Sequence, residues 1–361
     1  MKEILRSIYK SFLFELIPHL SNFFLQRKII LPKFTLTRKL PINYKPEDYK
    51  SFEGELIREC NDVTLVRVKN AILNIHQAIV VKNFSVIEES LMHPNIRSQY
   101  GLKFLVKSYL KPKNLIHGNQ FLLVYNHYAI GYGHWLSDVI PRLYMIRDCI
   151  NDYKIALPKE YNSFHIKALE PFDIAPDNIL YLEADEWCKI DNLTIVSHVG
   201  TTCNVKDSIL QSVRKFYYDH YKINSLKTVK RRIYVSRSKT PRRFVLNEIE
   251  VIELLKKFNF EVIHFQEYEF QEQIRIASET EIMIGLTGSG LNNMMFMPSN
   301  SKVLEFKMKG DYHNLHYFGF ASGLELDYYY LLCTPVGEDR FNSDFIVDIA
   351  NLEAAITQMI L

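Results

Sequence analysis

The sequence lacks most of the features that would assign it at a glance. Its five cysteines (Cys60, Cys149, Cys188, Cys203 and Cys333) are scattered and odd in number, and none sits in a CxxC or Cys/His cluster. A zinc site is therefore not expected, and a reduced, cytosolic setting fits. No apolar stretch approaches the roughly 18 residues that a membrane span needs. The first residues show no long apolar core followed by a small-residue cleavage site, so they do not read as a secretory signal. No internal repeat or low-complexity segment is present. The net charge of +3 is small, which removes any global argument for nucleic-acid binding.

What remains is a chain of 361 residues, 47% hydrophobic and 24% charged, long enough for two domains with separate cores. Ile4, Leu5, Ile8, Phe12, Leu16 and Ile17 follow helical spacing up to Pro18. An N-terminal helical segment over 1–40 can pack on the protein's own core, the commoner arrangement, or lie on a membrane surface through residues 1–31 with Lys2, Arg6 and Lys10 outward. Residues 41–222 read as a first Rossmann-like domain, with short strands at Thr64–Val68, Ala71–Leu73, Ala78–Val81, Phe121–Tyr125, Lys154–Leu157, Ile179–Leu182 and Leu193–Val196. A polar helix near Asp207–Tyr221 reads as part of the link to a second Rossmann-like domain over 223–345, with a C-terminal helix over 346–361.

The second domain is the clearer one. Strands at Ile233–Ser236, Phe260–Phe265, Ile282–Leu286 and Val303–Phe306 alternate with helices beginning at Asn247, Phe270 and Leu291. Asn247 with Glu250 resembles a capping box. The alternation predicts a parallel sheet with right-handed crossovers, whose ligand site lies at the carboxyl ends of the strands. The Arg237 loop, the Thr287-Gly288-Ser289-Gly290 loop and Glu305 all fall at that end.

Each group has a chemistry and a plainer alternative. Gly288-Ser289-Gly290 can bring backbone N–H groups up to a phosphate, or be a tight turn. Lys227–Arg243 holds eight basic residues and no acidic one. Arg237, Arg242 and Arg243 suit the oxygens of a diphosphate, although a solvated basic loop is the usual fate of such a run. Single-stranded nucleic acid is a weaker alternative, because the charge is confined to one loop. Glu305 can accept from ribose hydroxyls or be an exposed strand end. In GHWLSDVIPRL, His134, Asp138 and Arg142 share one helix face, with Pro141 interrupting it. His134 or Asp138 can serve as a general base, or His134 can simply pack or cap.

The motifs GYGHWLSDVIPRLYMI, RRIYVSRSKTPRRFVLNE and EIMIGLTGSGLNNMMFMPSNSKVLEF, in that order over about residues 115–310, resemble glycosyltransferase family 61. That family includes plant xylosyl- and arabinosyltransferases, animal protein O-GlcNAc transferases and many bacterial members associated with surface polysaccharides. The resemblance implies a B-type glycosyltransferase fold, two Rossmann-like domains facing a central cleft, and an inverting mechanism. It also implies no cofactor and no obligatory metal, in agreement with the absence of an Asp-x-Asp motif. Carried over, Arg237, Arg242 and Arg243 would hold the donor diphosphate. Thr287, Gly288, Ser289, Gly290, Asn292 and Glu305 would form the nucleotide side, and Asp138 or His134 the acceptor-side base. The family commonly reads His-Gly-Ala-Gly-Leu at the loop, where this chain has Thr287. The expectation is a cytoplasmic enzyme at the inner face of a membrane. It would move a sugar from a nucleotide sugar, UDP-linked, to a glycan or lipid-linked acceptor in surface polysaccharide synthesis. The alternative is a non-catalytic relative of the same fold.

Overall fold

The computed structural model describes residues 25–110, 112–114, 119–161, 163–183, 186–200, 204–224, 231–312, 315–337 and 343–361. The expected amphipathic helix over 4–17 lies outside them. The chain divides into two compact units, one drawn from residues 1–34 and 61–201, the other from 35–60 and 202–361.

The principal strands of the first unit are β1 Gln26–Leu31, β2 Val63–Asn74, β3 Ile79–Lys82, β4 Gln120–Leu123, β5 Lys154–Pro158, β6 Ile179–Leu182 and β7 Trp187–Val196. They form a mixed sheet in the order β6-β5-β4-β7-β2-β3, with β1 also paired to β2. The pairs β6/β5, β5/β4 and β4/β7 are parallel, while β7/β2, β2/β3 and β1/β2 are antiparallel. Two expected strands are one here: β2 runs on through Asn70, whose φ of 51° is a left-handed conformation that asparagine tolerates. The period-2 rule explains the faces. Val66, Val68, Phe121, Leu123, Leu193 and Ile195 are buried, whereas Arg67, Lys69, Gln120 and Asn192 are exposed.

Residues 26–31 correct the expected N-terminal helical segment. They are a strand, with Gln26 opposite Arg67 and Lys28 opposite Leu65.

The second unit holds β8 Arg231–Val235, β9 Phe260–Ile263, β10 Thr280–Leu286, β11 Lys302–Met308, β12 Asp327–Val336 and β13 Asp344–Ile346. The order is β9-β8-β10-β11-β12-β13, parallel except for β13. A sheet covered on both faces buries continuous apolar runs, as Ile282–Leu286 does, and Val303, Leu304 and Phe306 are buried beside it. The strand at Val303–Phe306 is not the last one, because β12 adds beyond it. The aromatic residues Phe318, Phe320, Tyr328, Tyr329 and Tyr330 are core.

Two expected boundaries move. Residues 41–60 belong to the second unit: Ile42 N–H donates to Tyr328 O at 2.9 Å, Asn43 Nδ2 to Tyr330 O at 2.7 Å, and Phe52 packs edge-on against Phe318 and Tyr330. The helix Asp207–Tyr221 is no linker either. Arg214 reaches the carbonyls of Met297 and Leu324, and Tyr218 that of Phe296. Asn247 stands at the N-terminus of helix Glu248–Lys257 but does not cap it. Its amide exchanges two hydrogen bonds with the Val347 backbone instead.

Among the described residues no helix is long and apolar enough to cross a membrane. No group of three or more His, Cys, Asp or Glu is placed among them to hold a metal ion.

Candidate functional site

In the first unit, β4 leads into the loop 124–131 and then a helix of uneven pitch. Tyr132–His134 is α-helical, Trp135–Val139 is a π turn, and Ile140–Met145 is α-helical again. Pro141 explains the widening, since it offers no N–H to the preceding turn and its ring needs room. The π turn still leaves His134 and Asp138 in contact, with Nδ1 of the imidazole 2.9 Å from Oδ2.

Asp138 is wholly enclosed. Asn126 Nδ2 donates to Oδ2 at 3.3 Å and Ser137 Oγ to Oδ1 at 3.1 Å. Burial pushes the carboxyl up, but the His134 hydrogen bond and the electrostatic pull of the neighbouring His134, His198 and Arg142 outweigh it, so the net direction is down. An ionised Asp138 can only accept. His134 therefore carries its proton on Nδ1 and presents Nε2, in the tautomer a general base requires. The His134 side chain is 36% exposed and that of Asp138 is 0% exposed, so the imidazole is the member that can meet a substrate.

Arg142, one turn further on, is buried. Its Nη2 lies against both ring nitrogens of His198. Burial lowers its pKa to about 10, against the opposing pull of Asp138. Burial and then the Arg142 charge push the His198 imidazole well below its usual range. His198 is thus a neutral acceptor for a guanidinium that stands under the carboxylate. Nothing in the spacing of the chain announced His198, since it lies 56 residues from Arg142. Asn126 was hidden for another reason: it occurs in a turn-rich loop where asparagine is ordinary.

In the second unit, Arg237, Arg242, Arg243 and residues 287–292 converge at the carboxyl ends of β8 and β10. Arg237 donates through Nε to Arg243 O at 3.2 Å and through Nη2 to Arg242 O at 3.0 Å. Burial and the Arg243 charge lower its pKa to about 10. Its head lies over Gly288, where an added Cβ would fall 2.1 Å from Nη1. Gly288 has an extended φ of 172°, so the close approach, and not the backbone conformation, is what requires glycine. Gly290 is held in the same way, with a Cβ falling 2.7 Å from Val235 Cγ1. Ser289–Phe296 is a 3-10 helix. Asn292 Nδ2 donates to Ser289 O at 3.2 Å and to Tyr317 Oη at 3.3 Å, and His316 Nε2 meets Asn292 Oδ1 at 2.7 Å. His316 is a contributor that the sequence did not single out, and Tyr317 belongs to an aromatic-rich stretch suited to core packing or to stacking on a sugar or base.

The long basic stretch is less basic than it reads. Arg231 pairs with Glu261 at 2.7 Å and Arg232 with Glu281 at 3.6 Å, while Lys239 pairs with Glu267. All three acids come from neighbouring segments of the fold. The charge left beside Gly288 is that of the arginines.

Thr287 and Glu305 form a separate pair. Thr287 Oγ1 donates to Glu305 Oε1 at 2.6 Å, and Tyr328 Oη donates to Oε2 at 2.6 Å. Glu305 is 1% exposed, inside β11 and not at its end. Burial pushes its carboxyl up, with Lys307, Thr287 and Tyr328 opposing. It anchors the loop from below and is not open to a ribose.

This combination, parallel α/β sheets with a His–Asp pair in one unit and an arginine–glycine loop in the other, has the marks of a glycosyltransferase. The family description Glycosyltransferase 61 matches residues 132–304, which carry both groups. That stretch of the chain is similar to glycosyltransferase family 61. The EGF domain-specific O-linked N-acetylglucosamine transferase of Bos taurus is 34% identical over 85 residues, 22% of this chain and 16% of the relative. The protein of the same name from Gallus gallus is 34% identical over 79 residues, 20% of this chain and 15% of the relative. That from Drosophila melanogaster is 33% identical over 75 residues, covering 20% and 14%. The chain spans about one sixth of the length of the curated relatives it matches.

Proposed function

We propose that the chain transfers a sugar from a nucleotide sugar, UDP-linked, to a hydroxyl of a glycan or lipid-linked acceptor, with inversion at the anomeric carbon. The observation that carries this reading is the Arg237 guanidinium, fixed by two carbonyls directly over Gly288 at the end of a parallel sheet. Arg237 and Arg243 face the departing diphosphate, and their fixed positive charge stabilises it as the anomeric C–O bond breaks. No metal is called for in this role.

His134 Nε2 takes the acceptor hydroxyl's proton as its oxygen attacks, and Asp138 holds the imidazole and stabilises the imidazolium. Asp138 is thereby a positioning residue, and His134 the base. We assign the donor to the second unit and the acceptor to the first, the division of labour of a B-type glycosyltransferase. The setting is surface polysaccharide assembly at the cytoplasmic face of a membrane. The relatives' printed activity makes N-acetylglucosamine the first sugar to test.

The test is a thermal-shift screen against UDP, GDP, CMP, TDP and their sugar conjugates, with and without EDTA, followed by turnover of wild type and Arg237→Ala. A ligand at 100 times its Kd adds about 2.7 kcal/mol of stability. One selective, EDTA-insensitive shift that Arg237→Ala abolishes is expected. An unchanged kcat/KM in that variant would refute the donor assignment. Thr287 favours a second reading, a ligand-binding relative without turnover, in which the shift appears but no acceptor is glycosylated.

A further inference from the structure

The sheet of the first unit has a face that the transfer chemistry does not use. Register places Gln26 opposite Arg67, Arg67 opposite Thr194, Lys69 opposite Asn192, and Asn192 opposite Gln120. Partners directly opposite share a face, so these side chains form two adjacent rungs, one of Gln26, Arg67 and Thr194 and the other of Lys69, Asn192 and Gln120, on one face of the sheet. They border a groove of ≈ 440 Å³ that Lys82 also lines. Thr194 and Leu25 are buried at its floor.

Its charge is one-sided. Among the described residues, Arg67, Lys69 and Lys82 line the groove and no carboxylate does. Elsewhere in the unit, Arg27, Arg97, Lys113 and Lys159 each have an acidic partner. No ion pair involves Arg67, Lys69 or Lys82 among the described residues. Lys82 Nζ instead donates to the backbone carbonyl of Lys69 at 2.8 Å, which holds its charge beside the Lys69 main chain. Burial and then the Lys69 charge push the Lys82 pKa down. Three like charges around a concavity repel one another and favour an anion between them. Gln26, Gln120 and Asn192 add donors and acceptors on the same face, suited to neighbouring hydroxyls.

We propose that this groove binds an acidic saccharide, with Arg67, Lys69 and Lys82 on its carboxylate or ester anion and the three amides on its hydroxyls. It is separate from the His134–Asp138 pair: Gln120 begins β4, whereas the loop to the pair leaves from the strand's other end. The proposal does not depend on the transfer reading, because its readout is binding.

The experiment measures binding of the full chain to an oligogalacturonate hexamer, a neutral maltohexaose, inorganic phosphate and phosphatidylglycerol vesicles, for wild type and for the combined Arg67→Gln and Lys69→Gln variant. The acidic hexamer is expected to bind with steep salt dependence and the neutral one not to bind. The variant should lose at least tenfold in affinity while keeping the wild-type melting temperature. Undiminished hexamer binding by the variant overturns the site. Vesicle capture that needs Arg67 and Lys69, without hexamer binding, replaces the saccharide by a membrane surface. Phosphate alone binding as tightly as the hexamer removes the saccharide from the proposal. Lys82→Gln alone, with its melting temperature, separates loss of the site from loss of the fold.

Discussion

The guanidinium of Arg237 occupies the space that a side chain at position 288 would need: an added Cβ at Gly288 would lie 2.1 Å from Nη1. Gly288→Ala must therefore push the arginine head off its two carbonyl acceptors while leaving the loop's backbone conformation accessible. Charge-assisted hydrogen bonds are worth about 1.5–3 kcal/mol each. Donor nucleotide affinity should fall about tenfold or more, as measured by calorimetric titration, with a lower melting temperature from the lost intrachain hydrogen bonds. Equal affinity in the variant would mean that Arg237 does not touch the donor.

Asp138→Asn removes the acceptor that fixes the His134 tautomer. Turnover should fall by about 10²–10⁴, while nucleotide binding, read by thermal shift, stays as in wild type. His134→Ala combined with Asp138→Asn should cost no more than the worse single change, because the two act as a unit. Additive losses in kcat/KM would separate their roles.

Acid sensitivity should come in part from His165, a buried ring stacked on Tyr161. Burial lowers its pKa to about 4, and the carbonyls of Ile130 and Ala129 oppose this only weakly, since neither nitrogen has a hydrogen bond of normal geometry. Between about 4 and the ordinary imidazole range, the unfolded chain binds a proton that the folded chain does not. Stability is therefore full above that window and falls as pH drops through it, by up to about 3 kcal/mol. Urea midpoints at pH 7 and pH 5 should converge in His165→Phe relative to wild type. Asp138, whose folded pKa is depressed, adds a further loss in stronger acid.

Thr287→Val takes one donor from the buried Glu305 carboxylate. The cost should be about 1–3 kcal/mol in urea unfolding. Thr287→His should also destabilise, since a larger ring must enter a position that is 8% exposed. A His variant as stable as wild type would show that the loop holds spare room.

The second sheet was readable because its strands are short apolar runs separated by amphipathic helices, a pattern local in sequence. His134 and Asp138 were readable because helical spacing is local too. The misses are long-range. Gln26–Leu31 carries Arg27 and Lys28 and looks unlike a strand until β2 pairs with it. The basic run looked uncompensated because Glu261, Glu267 and Glu281 approach it only in the folded sheet. Glu305 looked exposed because β12 was not foreseen beyond it, and Asn247 looked like a cap because its partner, Val347, is 100 residues away.

The π turn at Trp135–Val139 has a consequence for lineage as well as for chemistry. Such a turn is an α-helix holding one surplus residue, and each residue turns a regular helix by about 100°. Deleting a single residue between 135 and 139 would restore even pitch and leave Arg142 facing His198, because four residues of regular helix turn about as far as the five of the π turn. Relatives with a regular helix here should therefore align with a one-residue gap and still place a residue at the position of Arg142.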